Sequence, residues 1–68
     1  MEILGNYVLM RTQGGVWQGW YYGTRPHDGA HILEMAIGGG RRRRRYVPAD
    51  VFVSLLPAPG LEPGRRQP

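Results

Sequence analysis

The 68-residue sequence contains no cysteine and no lysine, and what it lacks excludes several classes of protein. Without cysteine there is no disulfide, no zinc cluster of the Cys type and no thiol nucleophile. No apolar run approaches the ~18 residues of a membrane-spanning helix. The N-terminal residues lack the basic region and the long apolar region of a signal peptide. We therefore expect a soluble cytoplasmic protein without a membrane association.

Groups that could carry catalysis or bind a metal are also few. The only serine lies in a predicted strand, with no histidine near it in the sequence. His27, Asp28, His31 and Glu34 are close along the chain, but two or three ligands do not complete a metal site. The glycine run 38–40 lacks the lysine and the following helix of a phosphate-binding loop. The sequence predicts no enzyme activity, no cofactor and no metal site.

Apolar and polar residues alternate over short stretches that are separated by turn residues, which is typical of a small antiparallel sheet or barrel. Gly19 and Gly23 interrupt the second stretch and indicate a bulge or a sharp bend. In the third stretch Leu33, Met35 and Ile37 are expected to face the core. Strands are predicted at residues 6–12, 16–24, 30–37, 41–47 and 51–56.

One segment resembles a known family closely enough to suggest the architecture. Residues 46–53, Tyr-Val-Pro-Ala-Asp-Val-Phe-Val, resemble the end of SH3 domains, where a 3₁₀ turn precedes the last strand. The resemblance implies an all-β, five-stranded SH3-like barrel over residues 1–56. Residues 57–68 are rich in proline and glycine, and we expect them to form a disordered or extended tail.

A second resemblance is to the type B dihydrofolate reductases, which are SH3-like barrels that assemble as tetramers around a pore. It rests on residues 14–19, Gly-Gly-Val-Trp-Gln-Gly, followed by a proline-containing turn some thirty residues later. That family carries Val-Gln-Ile-Tyr just before the proline and a lysine before the Trp-Gln-Gly segment. This sequence has Arg44, Arg45, Tyr46 and Val47 there and lacks the lysine, so we do not expect the reductase activity. The fold alone does not imply it.

The most distinctive feature is a run of five arginines at residues 41–45, among nine basic residues that are all arginine. If the run is extended, three side chains lie on one face of the strand and two on the other. A small barrel cannot bury either set without partners. We expect an exposed arm or hairpin tip that the glycine run 38–40 allows to move. Five adjacent guanidiniums repel one another and favour nearby anions, of which phosphate is the commonest.

Our hypothesis is a non-enzymatic barrel that binds DNA or RNA through phosphate contacts, with aromatic side chains available for base stacking. Alternatively, an acidic surface on a protein partner supplies the negative charge that the arginines need. In that case the chain is a small structural or regulatory subunit that docks on a larger assembly, or a homo-oligomer, through its exposed edges and tail. The candidate nucleic-acid-binding residues are Arg41, Arg42, Arg43, Arg44, Arg45, Arg11, Arg25, Trp17, Trp20 and Tyr22.

Overall fold

Five strands and one short 3₁₀ helix make up the part of the chain that the computed structural model describes, residues 6–64. All five predicted strands are confirmed, and no strand end differs from its prediction by more than one residue. The elements are β1 Asn6–Thr12, β2 Gly15–Thr24, β3 His31–Gly38, β4 Arg41–Val47, β5 Phe52–Pro57 and the 3₁₀ helix Pro59–Leu61.

The strands form a single antiparallel sheet in the order β4-β3-β2-β1-β5. This confirms the all-β class. Within the described residues β4 and β5 do not pair with each other, so the sheet has two open edges. The closed barrel that the sequence predicts is therefore not confirmed.

The sheet is nevertheless strongly curled around one apolar face. The rings of His31 on β3 and Phe52 on β5 stack with their centroids 3.8 Å apart. In a flat sheet these two strands would be about 14 Å apart, because two other strands lie between them. The curled face encloses a core whose buried members are Val8, Met10, Tyr21, Leu33 and Val47.

Burial of this core supplies the main driving force for folding. Val8, Met10 and Leu33 are fully buried, and full burial of such a side chain contributes about 1.5–3 kcal/mol. Met35 packs against the core as predicted. The prediction for Ile37 is wrong, because its side chain is 46% exposed. It lies where the β3–β4 register shifts, and such a bulge turns a residue away from the ladder.

Two glycines shape β2 in different ways. Gly23 has φ +92° and lies where the β2–β3 register shifts, so it forms the predicted bulge. Gly19 allows a close approach instead, since a Cβ atom there would lie 2.3 Å from the carbonyl oxygen of Glu34. This contact lets β3 pack tightly across β2.

The connection between β4 and β5 is a hydrogen-bonded turn. The N–H of Val51 donates to the carbonyl oxygen of Pro48 at 3.1 Å, and the N–H of Gln13 donates to the carbonyl oxygen of Val51 at 2.9 Å. The 3₁₀ turn predicted before the last strand is a simple turn, and the only 3₁₀ helix within residues 6–64 follows β5. The fixed φ of proline is compatible with either conformation.

The proline-rich segment after β5 packs on the sheet. The N–H of Ala58 donates to the carbonyl oxygen of Tyr7 at 2.9 Å, and the indole N–H of Trp20 donates to Glu62 at 2.9 Å. The disordered tail predicted for residues 57–68 is therefore not confirmed over 57–64, since Pro57 ends β5 and aromatic side chains give the next residues a surface to pack on. Residues 65–68, which include Arg65 and Arg66, lie outside the described residues.

Substitution of Gly19 tests the close approach of β2 and β3. We expect Gly19→Ala to lower the free energy of unfolding by about 1–3 kcal/mol, because the backbone must move to admit the methyl group. Gly14→Ala is the matched control, since its Cβ would meet its nearest atom at 3.9 Å. Urea denaturation checks both variants, and equal stabilities would contradict the close approach.

The partly buried position of His31 leads us to expect that the stability of the fold depends on pH. Burial lowers the pKa of His31 below its ordinary value of 6.5. The unfolded chain then takes up a proton more readily than the folded one, so the free energy of unfolding should fall as the pH drops below about 6.5. Urea denaturation between about pH 7.5 and pH 5 measures the effect.

Substitution of His27 is the control for substitution of His31 in this experiment. His27→Gln should keep the pH dependence, because that side chain is 73% exposed. His31→Gln should flatten it, although the variant also loses the hydrogen bond at 2.8 Å between the ring and the hydroxyl of Tyr21. A pH dependence that survives in His31→Gln would assign it to another group.

Candidate nucleic-acid interface

The arginine run forms a regular edge strand. Gly38 at the end of β3 and the turn residues Gly39 and Gly40 all have positive φ, a conformation that costs glycine little. From there β4 pairs with β3 along its whole length, from Arg41 opposite Gly38 to Val47 opposite His31. The arginines are exposed as expected, but they lie on a paired hairpin strand and not on a free arm. An edge strand keeps its arginines in solvent while its backbone bonds to one neighbour, and the charges also discourage pairing with other chains.

The register distributes the arginines over both faces of the sheet. Arg44 lies opposite Glu34, on the outer face, and Arg42 shares that face. Arg45 lies opposite the fully buried Leu33, so it is on the face that carries the core, together with Arg41 and Arg43. All five side chains are exposed. The same strand thus presents two sets of guanidiniums with different surroundings.

On the outer face Glu34 forms ion pairs with two neighbouring arginines and offsets part of their charge. Its carboxylate lies 3.5 Å from the guanidinium of Arg42 and 3.3 Å from that of Arg44. It also accepts a hydrogen bond of 3.2 Å from the hydroxyl of Tyr22. The guanidinium of Arg44 lies 5.4 Å from the centre of the Tyr22 ring. One carboxylate therefore holds two arginines and a tyrosine in a network.

Trp20 is part of this network and is not available for stacking. The guanidinium of Arg42 lies 3.6 Å above the centre of a Trp20 ring, and the ring of Tyr7 packs edge-on with centroids 5.1 Å apart. Glu62 accepts the indole hydrogen bond, and Trp20 is only 5% exposed. In this conformation Trp20 positions Arg42 and offers no free ring face to a base.

The opposite face of β4 has no such compensation. Within residues 6–64 no carboxylate forms an ion pair with Arg41, Arg43 or Arg45. The guanidinium of Arg45 lies 4.1 Å above the centre of a ring of Trp17, which is half-buried. The indole N–H of Trp17 donates to the hydroxyl of Thr12 at 3.3 Å. This face therefore combines uncompensated positive charge with an accessible aromatic ring.

Two pockets of about 270 Å³ flank the strand, one at each end. The first lies between the β3–β4 turn and the segment after β5, and is lined by Trp20, Ala36, Gly38, Gly40, Arg41, Arg42 and Pro63. The other, which we call the Trp17 groove, lies at the Arg45 end of β4 and is lined by Thr12, Gly14, Trp17, Arg45, Tyr46, Val47, Pro48 and Val51.

The two remaining candidate arginines lie apart from this face. Arg25 forms an ion pair of 2.5 Å with Asp28 and lies 4.0 Å above the ring of Tyr46. The hydrogen bond from Arg25, and then that from the backbone N–H of Ala30, lower the pKa of Asp28. Arg11 is exposed on β1, which β2 and β3 separate from β4. The structure therefore does not bring Arg11 into the cluster, and Asp28 matches the charge of Arg25.

The sequence did not reveal the role of Glu34, because a β-bulge changes its partner. The turn at Gly39 and Gly40 alone would place residue 35 opposite Arg44. The register shift between Ala36 and Gly38 instead places Glu34 there. Only the alternation of polar and apolar residues on β3 hinted at the face that Glu34 occupies.

The histidines do not form a metal site. His27 extends into solvent, 3.7 Å from Asp28, whereas the ring of His31 packs between Tyr21 and Phe52. Across the described stretch, no three histidine or acidic side chains come together in a way that could hold a metal ion.

No protein-family model, no curated protein and no solved structure matches this chain. No helix in residues 6–64 has the length and apolar character that crossing a membrane requires.

Proposed function

We propose that this chain is a non-enzymatic module that binds nucleic acid through phosphate contacts from β4. The observation that carries the proposal is the row formed by Arg41, Arg43 and Arg45. These residues lie on one face of a fixed strand, and no carboxylate among residues 6–64 is paired with them. Alternate residues of a strand are about 7 Å apart. The row thus places three arginines at even intervals along the strand, each with a guanidinium able to bind a phosphate bidentately.

Preorganisation supports this function. The guanidiniums repel one another whether or not a ligand is present, and an anion beside them relieves the repulsion. Because β4 is paired with β3, its backbone is already ordered before binding, which lowers the entropic cost of association. Each phosphate that is neutralised also releases counterions. Phosphate contacts of this kind favour no base sequence.

We also infer that the curled sheet is a variant of the SH3-like barrel. The resemblance at residues 46–53, the strand order and the stacking of His31 on Phe52 support this assignment. A nucleic-acid ligand is consistent with residence in the cytoplasm, which we propose as its compartment.

A pair of double variants tests which face of β4 binds. Arg41→Ala/Arg43→Ala should weaken binding to a generic oligonucleotide by about tenfold or more at ~50 mM salt, because two arginines that contact phosphates are lost. The slope of log affinity against log salt should fall by about 1.4 for a single strand. Fluorescence anisotropy over ~50–200 mM salt measures both quantities.

Arg42→Ala/Arg44→Ala is the matched control, because it removes the same charge from the same strand. Its loss of affinity should be smaller, since both guanidiniums already form ion pairs with Glu34 and the variant's loss of charge is partly offset there. Circular dichroism verifies that both variants fold. Equal losses in the two variants would indicate diffuse attraction instead of a defined face, and no binding of the unmodified chain at low salt would reject the function.

A second function, as a structural subunit that assembles through β5, is favoured by the character of that edge. Residues 52–57 carry no charge, and Val53 and Leu56 are 52% and 60% exposed. β5 is also an open edge, whereas the arginines of β4 repel a second copy of that strand. If this function holds, a second copy of this chain is the simplest partner.

Sedimentation at about 500 mM salt tests this alternative, because charge attraction is screened there. Assembly through β5 predicts a concentration-dependent dimer that Val53→Lys abolishes, since the new charge would lie in the contact. Ser54→Thr, which adds no charge, should leave the dimer intact. A monomer at all concentrations would contradict assembly of the chain with itself.

A further inference from the structure

We infer that the ligand of β4 is single-stranded nucleic acid, and that one of its bases stacks on Trp17 in place of the guanidinium of Arg45. The inference rests on the proposed function and narrows it to one class of substrate. The row of Arg41, Arg43 and Arg45 would follow the phosphates, and the Trp17 groove would receive a base at the Arg45 end of the row.

The position of Trp17 at the end of the row is the first observation in favour of a stacked base. Arg45 belongs to the uncompensated row and also lines the Trp17 groove, so the charged and the aromatic surfaces are continuous. Phosphates of an extended single strand are spaced at an interval similar to that of alternate strand residues. A backbone that follows the row therefore brings a base to the groove.

The contacts of the Trp17 ring are the second observation in favour of a stacked base. The hydrogen bond from its indole N–H to Thr12 fixes the orientation of the ring. Its one identified ring-face partner is the guanidinium of Arg45 at 4.1 Å, which no carboxylate in the described residues restrains. When a phosphate arrives, that guanidinium exchanges a weak cation–π contact for a charge-assisted hydrogen bond. The ring face that it leaves is then available to a base.

The Trp17 groove also favours an unpaired base over a duplex. Pro48 and Val51 form apolar parts of its wall beside Trp17. A base can reach a ring in such a groove only when it is not stacked and paired, as in single strands, loops and ends. A duplex would still meet the arginines through its phosphates, but its bases would not contact Trp17.

Trp20 provides an internal comparison. Arg42 also covers it, but Glu34 restrains that guanidinium and Glu62 binds the indole N–H. Trp20 is 5% exposed, so a base cannot replace Arg42 without disrupting the packing. Of the two tryptophans, only Trp17 is both accessible and covered by an arginine that has no carboxylate partner in the described part of the chain.

The test compares a single-stranded oligonucleotide with a duplex of the same length at ~50 mM salt. Tryptophan emission should be quenched by the single strand, and the quenching should persist in Trp20→Phe. Trp17→Ala should abolish the quenching and weaken single-strand binding by about tenfold, as expected for loss of one stacked base. Its affinity for the duplex should fall much less, because the bases of a duplex do not contact Trp17.

Trp17→Phe guards against a folding artefact, because it keeps an aromatic face and should retain most of the single-strand affinity. Equal affinity of Trp17→Ala and the unmodified chain for the single strand would overturn the inference while leaving phosphate binding intact. If the unmodified chain binds neither oligonucleotide, the proposed function itself fails. Quenching that depends on Trp20 instead of Trp17 would also overturn the inference.

Discussion

Strand β4 is held to β3 by an antiparallel ladder that extends along the whole arginine run, with one bulge near Ile37. Because side chains alternate along a strand, the register of this ladder decides which arginines face which neighbours. A slip by one residue would exchange the two sets. It would bring Arg43 and Arg45 to the face of Glu34, and it would leave Arg42 and Arg44 beside the core.

The observed register gives each face a distinct chemistry. On the outer face Glu34 lies between Arg42 and Arg44, and Arg42 in turn covers Trp20. These arginines act as structural side chains that pack on aromatic rings, as guanidiniums do well. On the other face, Arg41, Arg43 and Arg45 have no carboxylate to neutralise them in the described residues. A surface that is charged, ordered and uncompensated is suited to bind anions.

Much of the fold could be predicted from the sequence, because local patterns determine it. Short stretches bounded by turn residues located all five strands, and glycines were expected between β3 and β4, where the turn lies. The packing of residues 58–64 was missed, since it depends on Trp20 and Glu62, which are 42 positions apart. Composition alone suggested disorder there. Ile37 was misassigned because a bulge in the ladder has no clear sequence pattern.

The candidate site was only half predictable. The arginine run was visible, but its division into a compensated and an uncompensated set depends on the partner of each residue across the ladder. That division separates Trp17 from Trp20, which have similar sequence surroundings. A run of like charges reveals that an anion is favoured, whereas tertiary contacts decide which of the charges remain available.

The most direct test of this division is an NMR titration with a short single-stranded oligonucleotide, followed through the arginine Nε–Hε and tryptophan indole signals. The signals of Arg41, Arg43, Arg45 and Trp17 should shift on binding, while those of Arg42 and Trp20 should stay in place. Shifts confined to Arg42, Arg44 and Trp20, or spread evenly over all five arginines, would contradict this division.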